Sequence, residues 1–458
     1  MIPNLFISED PAVALRGVHL DLKGLPPTPS RLLELLEVFA AAHYNAVLVE
    51  WEDMFPWTVD ERFRSTSAYT LEQVAAFAGK AKELGLEIIP LVQTLGHMET
   101  FLGIPGNETL QEVPGRPDGL NPLAKGSFEL VDGLVEDALR LTPGVRFFHL
   151  GGDEHWTFGS HPDTKAFISE KGQAELLLEF LGPLMDKLNA RGIRPILWHD
   201  MMEKWDDPSL ARLSSKADLM VWGYGDCNRP EGMLPYYDPQ LVERFTQSGL
   251  KLWGASAYKG ADGETADLPD YAARENSTQA WVNLNKTHDL AGIVATGWSR
   301  YSTHRPQNEP IDSALDALLN SGIILHEGSP PEGGRQACLE ALRNIPAAAG
   351  FDEWHAAIRE LDHARRRSWD NIVCLREHLA RIEAKPANAS SQVIRQTHAK
   401  LGKWLEHLEQ AAESVKALFS ELITRSHLKE YLFTHIQAVR NEFNSIGRAI
   451  EKESHAAD

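Results

Sequence analysis

The sequence has little cysteine, more acidic than basic residues and no long apolar run. Three cysteines, Cys227, Cys338 and Cys374, are an odd number at wide spacing, which predicts neither a disulfide framework nor a zinc site. With 45 basic and 65 acidic residues among 458, the formal net charge of −20 disfavours a nucleic-acid-binding protein, which would normally have a basic face. Residues 1–15 lack a basic region followed by an apolar stretch, so we expect no signal peptide, no membrane span and a cytoplasmic location.

A glycine-rich dinucleotide fingerprint is also missing after the first predicted strand, which disfavours a Rossmann domain. What is present from residue 16 onward is an alternation of short apolar runs with longer amphipathic segments. The apolar runs predict strands at 17–22, 46–51, 86–92, 145–150, 193–198, 219–222, 250–255 and 292–295. Eight strands alternating with helices predict a (β/α)8 barrel of the α/β class rather than a doubly wound open sheet.

The strand pattern ends near a loop rich in proline and glycine at residues 328–334. Beyond it, apolar residues recur at alternating spacings of four and three, as in packed helices. The first such stripe consists of Leu401, Leu405, Leu408, Ala412, Val415, Phe419 and Leu422. We therefore predict a catalytic barrel over residues 1–330 and a helical C-terminal domain over 331–458. The simplest role of the stripes is packing within the chain, and the alternative is a homodimer.

The segment 146–156, Arg-Phe-Phe-His-Leu-Gly-Gly-Asp-Glu-His-Trp, contains the clearest chemistry. An apolar strand ends in two glycines, which let a ligand approach the backbone closely. Asp153 and Glu154 follow, and their mutual repulsion suits one to staying ionised and the other to donating a proton as a general acid. Both acids could instead cap the next helix and face water. The flanking His149, His155 and Trp156 favour a catalytic site.

Polar and aromatic residues gather at the carboxyl ends of the other predicted strands, where barrel enzymes carry their active sites. Trp198, Trp222 and Trp298 lie there beside acids, which indicates a sugar-sized pocket with apolar walls. A metal hydrolase is an alternative, with ligands from His149, Asp153, His155, His199 and Asp200. No HExxH-type spacing appears, so we predict no metal and no cofactor.

Several segments resemble glycoside hydrolase family 20, the β-N-acetylhexosaminidases. His-Leu-Gly-Gly-Asp-Glu at 149–154 is similar to the family's catalytic signature. Pro-Leu-Val-Gln-Thr-Leu-Gly-His at 90–97 is similar to its third-strand segment, with Gln93 where an aspartate is common. Trp298-Ser299 resembles the family's final Trp-Ser-Glu, with Arg300 in place of the glutamate. Segments 19–24, 52–56 and 96–99 resemble the hexosaminidase D-like branch.

The resemblance implies a retaining exo-β-N-acetylhexosaminidase that releases terminal β-GlcNAc or β-GalNAc from glycans or glycoconjugates. Its mechanism is substrate-assisted: the 2-acetamido oxygen attacks the anomeric carbon and forms an oxazolinium intermediate. Glu154 would act as general acid and base, and Asp153 would hold the acetamido N–H. The implied substrate-binding residues are Arg16, Asp53, His97, His149, Trp198, Trp222, Tyr224, Tyr258, Trp298, Arg300 and Glu309.

These residues have different implied roles. Arg16 would bind ring hydroxyls, and Asp53 with His97 would support the acid. Tyr224, with Tyr258 as the alternative, would hold the acetamido oxygen. The tryptophans would form the walls, and Glu309 would replace the family's missing glutamate beside Arg300.

Two further functions compete with this interpretation. An O-GlcNAcase-like glycosidase with a helical C-terminal domain typically has an Asp-Asp pair, whereas this chain has Asp153-Glu154. A carbohydrate-binding barrel without catalysis would not need Glu154.

Overall fold

Eight parallel strands of the computed structural model close into a barrel. The structure describes residues 10–225, 239–263, 266–384 and 391–457. The strands are β1 (Arg16–Asp21), β2 (Ala46–Glu50), β3 (Glu87–Leu91), β4 (Gln111–Val113), β5 (Arg116–Leu120), β6 (Phe147–His149), β7 (Arg194–Trp198), β8 (Asp218–Trp222), β9 (Leu252–Lys259) and β10 (Ile293–Gly297). Around the barrel their order is β1-β10-β9-β8-β7-β6-β3-β2, and β4 and β5 form a separate antiparallel hairpin. The predicted fold class is confirmed.

Helices follow the barrel strands, as the amphipathic segments predict. They are α1 (Pro29–Ala41), α2 (Leu71–Glu83), α3 (Glu99–Leu102), α4 (Ser127–Leu141), α5 (Pro162–Lys171), α6 (Gln173–Ala190), α7 (Asp207–Ser214), α8 (Pro239–Gln247), α9 (Tyr271–His288), α10 (Leu315–Glu327) and α11 (Gly334–Leu342). A capping box starts α2: the Thr70 hydroxyl accepts from Gln73 N, and the Gln73 side chain accepts from Thr70 N. Gly172, with φ of 94°, separates α5 from α6.

The barrel interior is filled by large apolar side chains, as expected for strands that are buried on both faces. Its members include Leu48, Ile89, Leu91, Ile196, Trp198, Met220, Trp253 and Val294. Because these residues fill the barrel, a ligand can approach only above them, at one end of the strands.

The chain forms two compact units, Met1–Ala349 and Gly350–Asp458. The second contains α12 (Phe351–Ala384), α13 (Ser391–Phe419) and α14 (Arg425–Ala457), which pack against one another. The predicted stripe from Leu401 to Leu422 is buried. Packing within the chain therefore accounts for the stripe, and the homodimer stays a prediction. The division after residue 330 also stays a prediction, because compactness does not test independent folding. Within the described residues, no helix has the length and apolarity that crossing a membrane requires.

Candidate active site

A cavity of about 290 Å³ opens at the carboxyl ends of the barrel strands. Its lining combines carboxylates, cationic side chains and aromatic rings. The lining residues are Lys23, Gln93, His97, Asp153, Glu154, Trp222, Tyr224, Gly260, Ala261, Gly263, Trp298, Arg300, Tyr301, Arg305, Pro306 and Asn308. They come from loops that follow most of the barrel strands, which is where this fold places its chemistry.

The Asp153–Glu154 pair reaches the cavity through an unusual backbone path after β6. Gly151 has φ of 59°, and a Cβ there would come within 2.0 Å of Gln93 Oε1. A Cβ on Gly96 would come within 2.0 Å of Asp153 O, so glycine lets the loop after β3 lie against the pair. Glu154 itself has φ of 46°, a conformation that costs a non-glycine residue on the order of 1–3 kcal/mol. Packing against the β3 loop holds this strained conformation.

His97 lies between the two carboxylates. Its Nε2 is 3.2 Å from Glu154 Oε2 and 3.5 Å from Asp153 Oδ2. Burial lowers the pKa of His97, but the nearby Asp153 and Glu154 carboxylates outweigh burial and hold that pKa well above its usual value. The raised pKa favours the imidazolium form, which offsets the repulsion between the two acids when both are ionised. The oxygen Asp153 Oδ1 accepts no hydrogen bond from the described residues.

Asp200, just after β7, fixes the backbone of Glu154. Its Oδ2 accepts a hydrogen bond of 2.8 Å from Glu154 N, and its Oδ1 lies 3.4 Å from Trp222 Nε1. Burial, together with the charge of Asp153, raises the pKa of Asp200 to about 6. Asp200, which follows β7, thus stabilises the strained turn at Glu154 through this hydrogen bond.

An aromatic wall faces the acids. The rings of Trp222 and Tyr224 stack at 5.7 Å, and the Tyr224 hydroxyl accepts a 2.8 Å hydrogen bond from Trp298 Nε1. Burial raises the pKa of Tyr224, so its phenol keeps its proton and can donate it to a ligand oxygen. The wall therefore combines apolar faces with a single oriented hydroxyl.

A buried ionic cluster forms the floor. Lys23 Nζ lies 3.1 Å from Glu50 Oε1 and 3.6 Å from Glu52 Oε1. Gln93 Nε2 donates to the same Glu50 oxygen at 3.2 Å. Burial raises the pKa of Glu52 to about 8 in spite of Lys23, and the charge of Glu50 adds to the rise. Lys23 and Gln93 extend from this cluster to line the cavity.

Comparison with known proteins places this geometry in a family. The family description "Glycosyl hydrolase family 20, catalytic domain" matches residues 16–231. Hexosaminidase D of Bos taurus is 33% identical over 298 residues, covering 63% of this chain and 85% of the relative. Hexosaminidase D of Homo sapiens is 31% identical over 350 residues, covering 74% of this chain and 67% of the relative. The chain belongs to glycosyl hydrolase family 20.

A solved family 20 structure shares the fold. The chitobiase of Flavobacterium johnsoniae aligns with a TM-score of 0.57 at 15% identity, covering 97% of this chain and 73% of that one. The predictions of a family 20 member, of its hexosaminidase D-like branch and of a glycoside hydrolase are confirmed.

Seven of the residues predicted for the family 20 site line the cavity together. They are Asp153, Glu154, His97, Trp222, Tyr224, Trp298 and Arg300. His149 lies just beneath them, fully buried, and its Nδ1 accepts a 3.0 Å hydrogen bond from Gly151 N. Burial lowers the pKa of His149 to about 3, so its ring is neutral and supports the Gly-Gly turn from below.

The structure does not bring Arg16 or Tyr258 to the cavity, and we remove both from the proposed site. Arg16 begins β1, so it lies at the opposite end of the barrel, where its guanidinium donates to His43 O and Val13 O. Tyr258 lies inside β9, which continues to Lys259, four residues beyond the predicted strand end. Its ring is fully buried, and its hydroxyl donates to His19 O at 3.3 Å.

Three other predicted residues also lie outside the cavity lining. Trp198 is fully buried in the barrel interior and contacts Trp298 at 5.8 Å between ring centroids. Glu309 is buried behind the wall, and its Oε1 accepts from Gly260 N at 3.0 Å. Asp53 lies in the turn after β2, where its carbonyl oxygen accepts from Ser65 N. These residues support the walls, and direct contact with a ligand is not supported.

Within the described residues, the metal ligands considered from the sequence do not form a converging group of three. His155 Nε2 bonds with Leu120 O, and His199 Nε2 lies 3.5 Å from Glu203 Oε1. Within the described residues, a different group converges: ligand atoms of His97, Asp153 and Glu154 lie within 4.8 Å of one another. An activity assay in the presence of a chelator tests whether this group needs a metal ion.

Several cavity residues were missed by the sequence analysis, notably Lys23, Tyr301, Arg305 and Asn308. Lys23 directly follows β1, so the rule that places chemistry at carboxyl ends of strands predicts it. Tyr301 follows β10 in the same way, whereas Asn308 lies farther along the loop, beyond Arg305. Arg305 lies in the middle of that loop, where no strand register sets its direction.

The raised pKa of Asp200 predicts a stability effect that depends on pH. Between about pH 4 and 6 the folded protein keeps a proton that the unfolded chain has lost, so this contribution to stability declines as pH rises through that range. The Asp200→Asn variant has no carboxyl group to titrate at this position, so this decline in stability is absent. Its amide oxygen can still accept a hydrogen bond from Glu154 N. We expect its free energy of unfolding, relative to wild type, to rise by about 2 kcal/mol from pH 4 to pH 7.

Urea unfolding of both proteins at the two pH values measures this shift. Asp10→Asn, at an exposed position, controls for the loss of one negative charge. A difference between Asp200→Asn and wild type that is the same at both pH values would contradict the assignment.

Proposed function

We propose that this protein is a retaining exo-β-N-acetylhexosaminidase that releases terminal β-GlcNAc or β-GalNAc. The observation that carries the proposal is that Asp153 and Glu154, neighbours in sequence, both line one cavity and share His97. An acid and an acetamido-binding carboxylate must act on adjacent atoms of one sugar, and this arrangement supplies both.

The first step would release the leaving group. Glu154 donates a proton to the glycosidic oxygen while the acetamido carbonyl oxygen of the substrate forms a bond to the anomeric carbon, and the glycosidic C–O bond breaks. Asp153 accepts a hydrogen bond from the acetamido N–H. It also stabilises the positive charge that develops on the oxazolinium ring as it forms.

The second step would restore the enzyme. Glu154, now a carboxylate, takes a proton from a water molecule, whose oxygen attacks the anomeric carbon and opens the oxazolinium ring. Each carbon–oxygen exchange inverts the anomeric centre, so two exchanges retain its configuration. Tyr224 would donate to the acetamido oxygen and orient it for attack, since its phenol is protonated and held by Trp298.

The dimensions of the cavity support action on a terminal sugar. A volume of about 290 Å³ lies at the lower end of ligand pockets, which suits one sugar ring with its acetamido group. Trp222 and Trp298 provide apolar faces for the ring, and Lys23, Gln93 and Asn308 provide hydrogen-bonding groups for its hydroxyls. The cytoplasmic location and the absence of a cofactor stay predictions.

Hydrolysis of aryl β-GlcNAc and aryl β-GalNAc by purified protein tests the proposal. We expect kcat/KM for the two substrates to differ by less than about tenfold. The sugars differ in the direction of the 4-hydroxyl, and Arg300 can only donate hydrogen bonds, which a hydroxyl accepts in either direction.

Activity should persist with a chelator, which would remove a metal hydrolase from consideration. Binding of the sugars without hydrolysis would favour the non-catalytic carbohydrate-binding barrel. A preference beyond about a hundredfold for one epimer would contradict the loose discrimination, because it requires a paired hydrogen-bond acceptor for one direction of the hydroxyl.

A further inference from the structure

Trp156 is the most exposed of the large apolar side chains in the described residues, with 60% of its surface accessible. It follows the acid Glu154 by two residues, and its backbone N–H donates to Glu154 O at 2.8 Å. Exposing an indole costs roughly 1–3 kcal/mol relative to burying it. The exposure of this indole next to the proposed proton donor therefore suggests a role in binding substrate.

The Trp156 indole is also held in place. Its Nε1 donates to the Tyr301 hydroxyl at 3.2 Å. The Tyr301 ring packs edge-on against His97, with 5.7 Å between centroids, and His97 contacts Glu154. Trp156 and Tyr301 thus form an aromatic pair that is joined to the catalytic residues through three successive contacts.

Exposure rises along this side of the cavity. The side chain of Asp153 is 9% accessible and that of Glu154 13%, whereas Tyr301 is 42% and Trp156 60% accessible. Of the two rings, Tyr301 lines the cavity, and the more exposed Trp156 contacts Tyr301 from outside the lining. Because Glu154 protonates the leaving oxygen, the leaving group lies on the same side.

We infer that Trp156, positioned by Tyr301, forms a binding subsite for the leaving group, and that its occupant is a sugar ring. This inference rests on the proposed function and extends it to the part of the substrate beyond the cleaved bond. The axial C–H bonds of a pyranose present an apolar face that fits an indole ring, and its hydroxyls stay in water at the exposed edge. A leaving group without a ring has nothing to stack there.

The test compares a β-linked disaccharide, N-acetylglucosaminyl-β-1,4-N-acetylglucosamine, with methyl N-acetyl-β-glucosaminide. For each substrate kcat/KM is measured in wild type, Trp156→Ala and Trp156→Phe. We expect Trp156→Ala to lower the ratio of disaccharide to methyl glycoside by roughly tenfold, in line with the loss of one aromatic contact. Trp156→Phe keeps a ring and should retain most of the ratio.

Two controls separate this effect from others. Trp369→Ala removes an exposed tryptophan of the second compact unit and should leave the ratio as in wild type. Tyr301→Phe removes the acceptor of the indole N–H and should lower the ratio less than Trp156→Ala, because the ring remains.

An active Trp156→Ala variant with an unchanged ratio would overturn the inference and leave the proposed function intact. Wild-type protein that hydrolyses neither substrate would overturn both. A ratio that falls equally in Trp156→Ala and Trp369→Ala would overturn the inference as well, since the effect would not belong to this position.

Discussion

Glu154→Gln is expected to lower kcat/KM on N-acetylhexosaminides with a poor leaving group by roughly 10²- to 10⁴-fold, the usual contribution of a general acid. The amide keeps the size of the side chain and cannot transfer a proton to the glycosidic oxygen. A dinitrophenyl leaving group departs without protonation. The decrease in kcat/KM for the dinitrophenyl substrate should therefore be much smaller.

The measurement is kcat/KM for the methyl and dinitrophenyl N-acetyl-β-glucosaminides in wild type and variant. Glu203→Gln is the matched control, since Glu203 lies in the loop after β7 and does not line the cavity. Circular dichroism and thermal unfolding check that the overall fold survives the change. Equal losses on both substrates with an intact fold would contradict the role of Glu154 as acid.

Asp153→Asn is expected to lower kcat by roughly 10²- to 10³-fold while KM changes by less than about threefold. The carboxylate is proposed to act on charge that develops only as the oxazolinium ring forms, so the ground-state complex should lose little. An asparagine can still occupy the space between His97 and the ligand, but it carries no negative charge.

A thiazoline analogue of the oxazoline intermediate extends this measurement. It should compete with substrate in the wild type and bind less tightly to Asp153→Asn. Asp118→Asn, which changes an aspartate on the β5 hairpin paired with Arg116, is the control. A variant with normal kcat and a raised KM would show instead that Asp153 merely binds the substrate.

The barrel and the turn that carries Asp153 and Glu154 could be predicted because their sequence signals are local. Each apolar run is buried on both faces, so its boundaries follow from the sequence within a few residues. Gly151-Gly152 before Asp153-Glu154 predicts a turn at a strand end without reference to the rest of the chain. The predicted end of β9 was wrong for the same reason. The residues Ser256–Lys259 mix polar and apolar types and so carry no local strand signal, although every one is buried.

The walls of the cavity were predicted less well because their positions depend on which end of each strand a residue occupies. Arg16 and Lys23 flank the same strand at opposite ends, and only Lys23 lines the cavity. Glu309 lies next to Asn308, yet Asn308 lines the cavity and Glu309 faces Gly260 N behind it. In loops of this kind the direction of a side chain is set by tertiary contacts, which the sequence pattern does not contain.

The acetamido group of the substrate is the proposed nucleophile, and the most direct test of this role removes that group. We would measure kcat/KM of the wild-type protein on an aryl N-acetyl-β-glucosaminide and on the matching aryl β-glucoside, which has a hydroxyl at the same carbon. Because an intramolecular nucleophile has a very high effective concentration, we expect kcat/KM to be at least about a thousandfold higher for the acetamido substrate. Cleavage of both substrates at similar rates would contradict it.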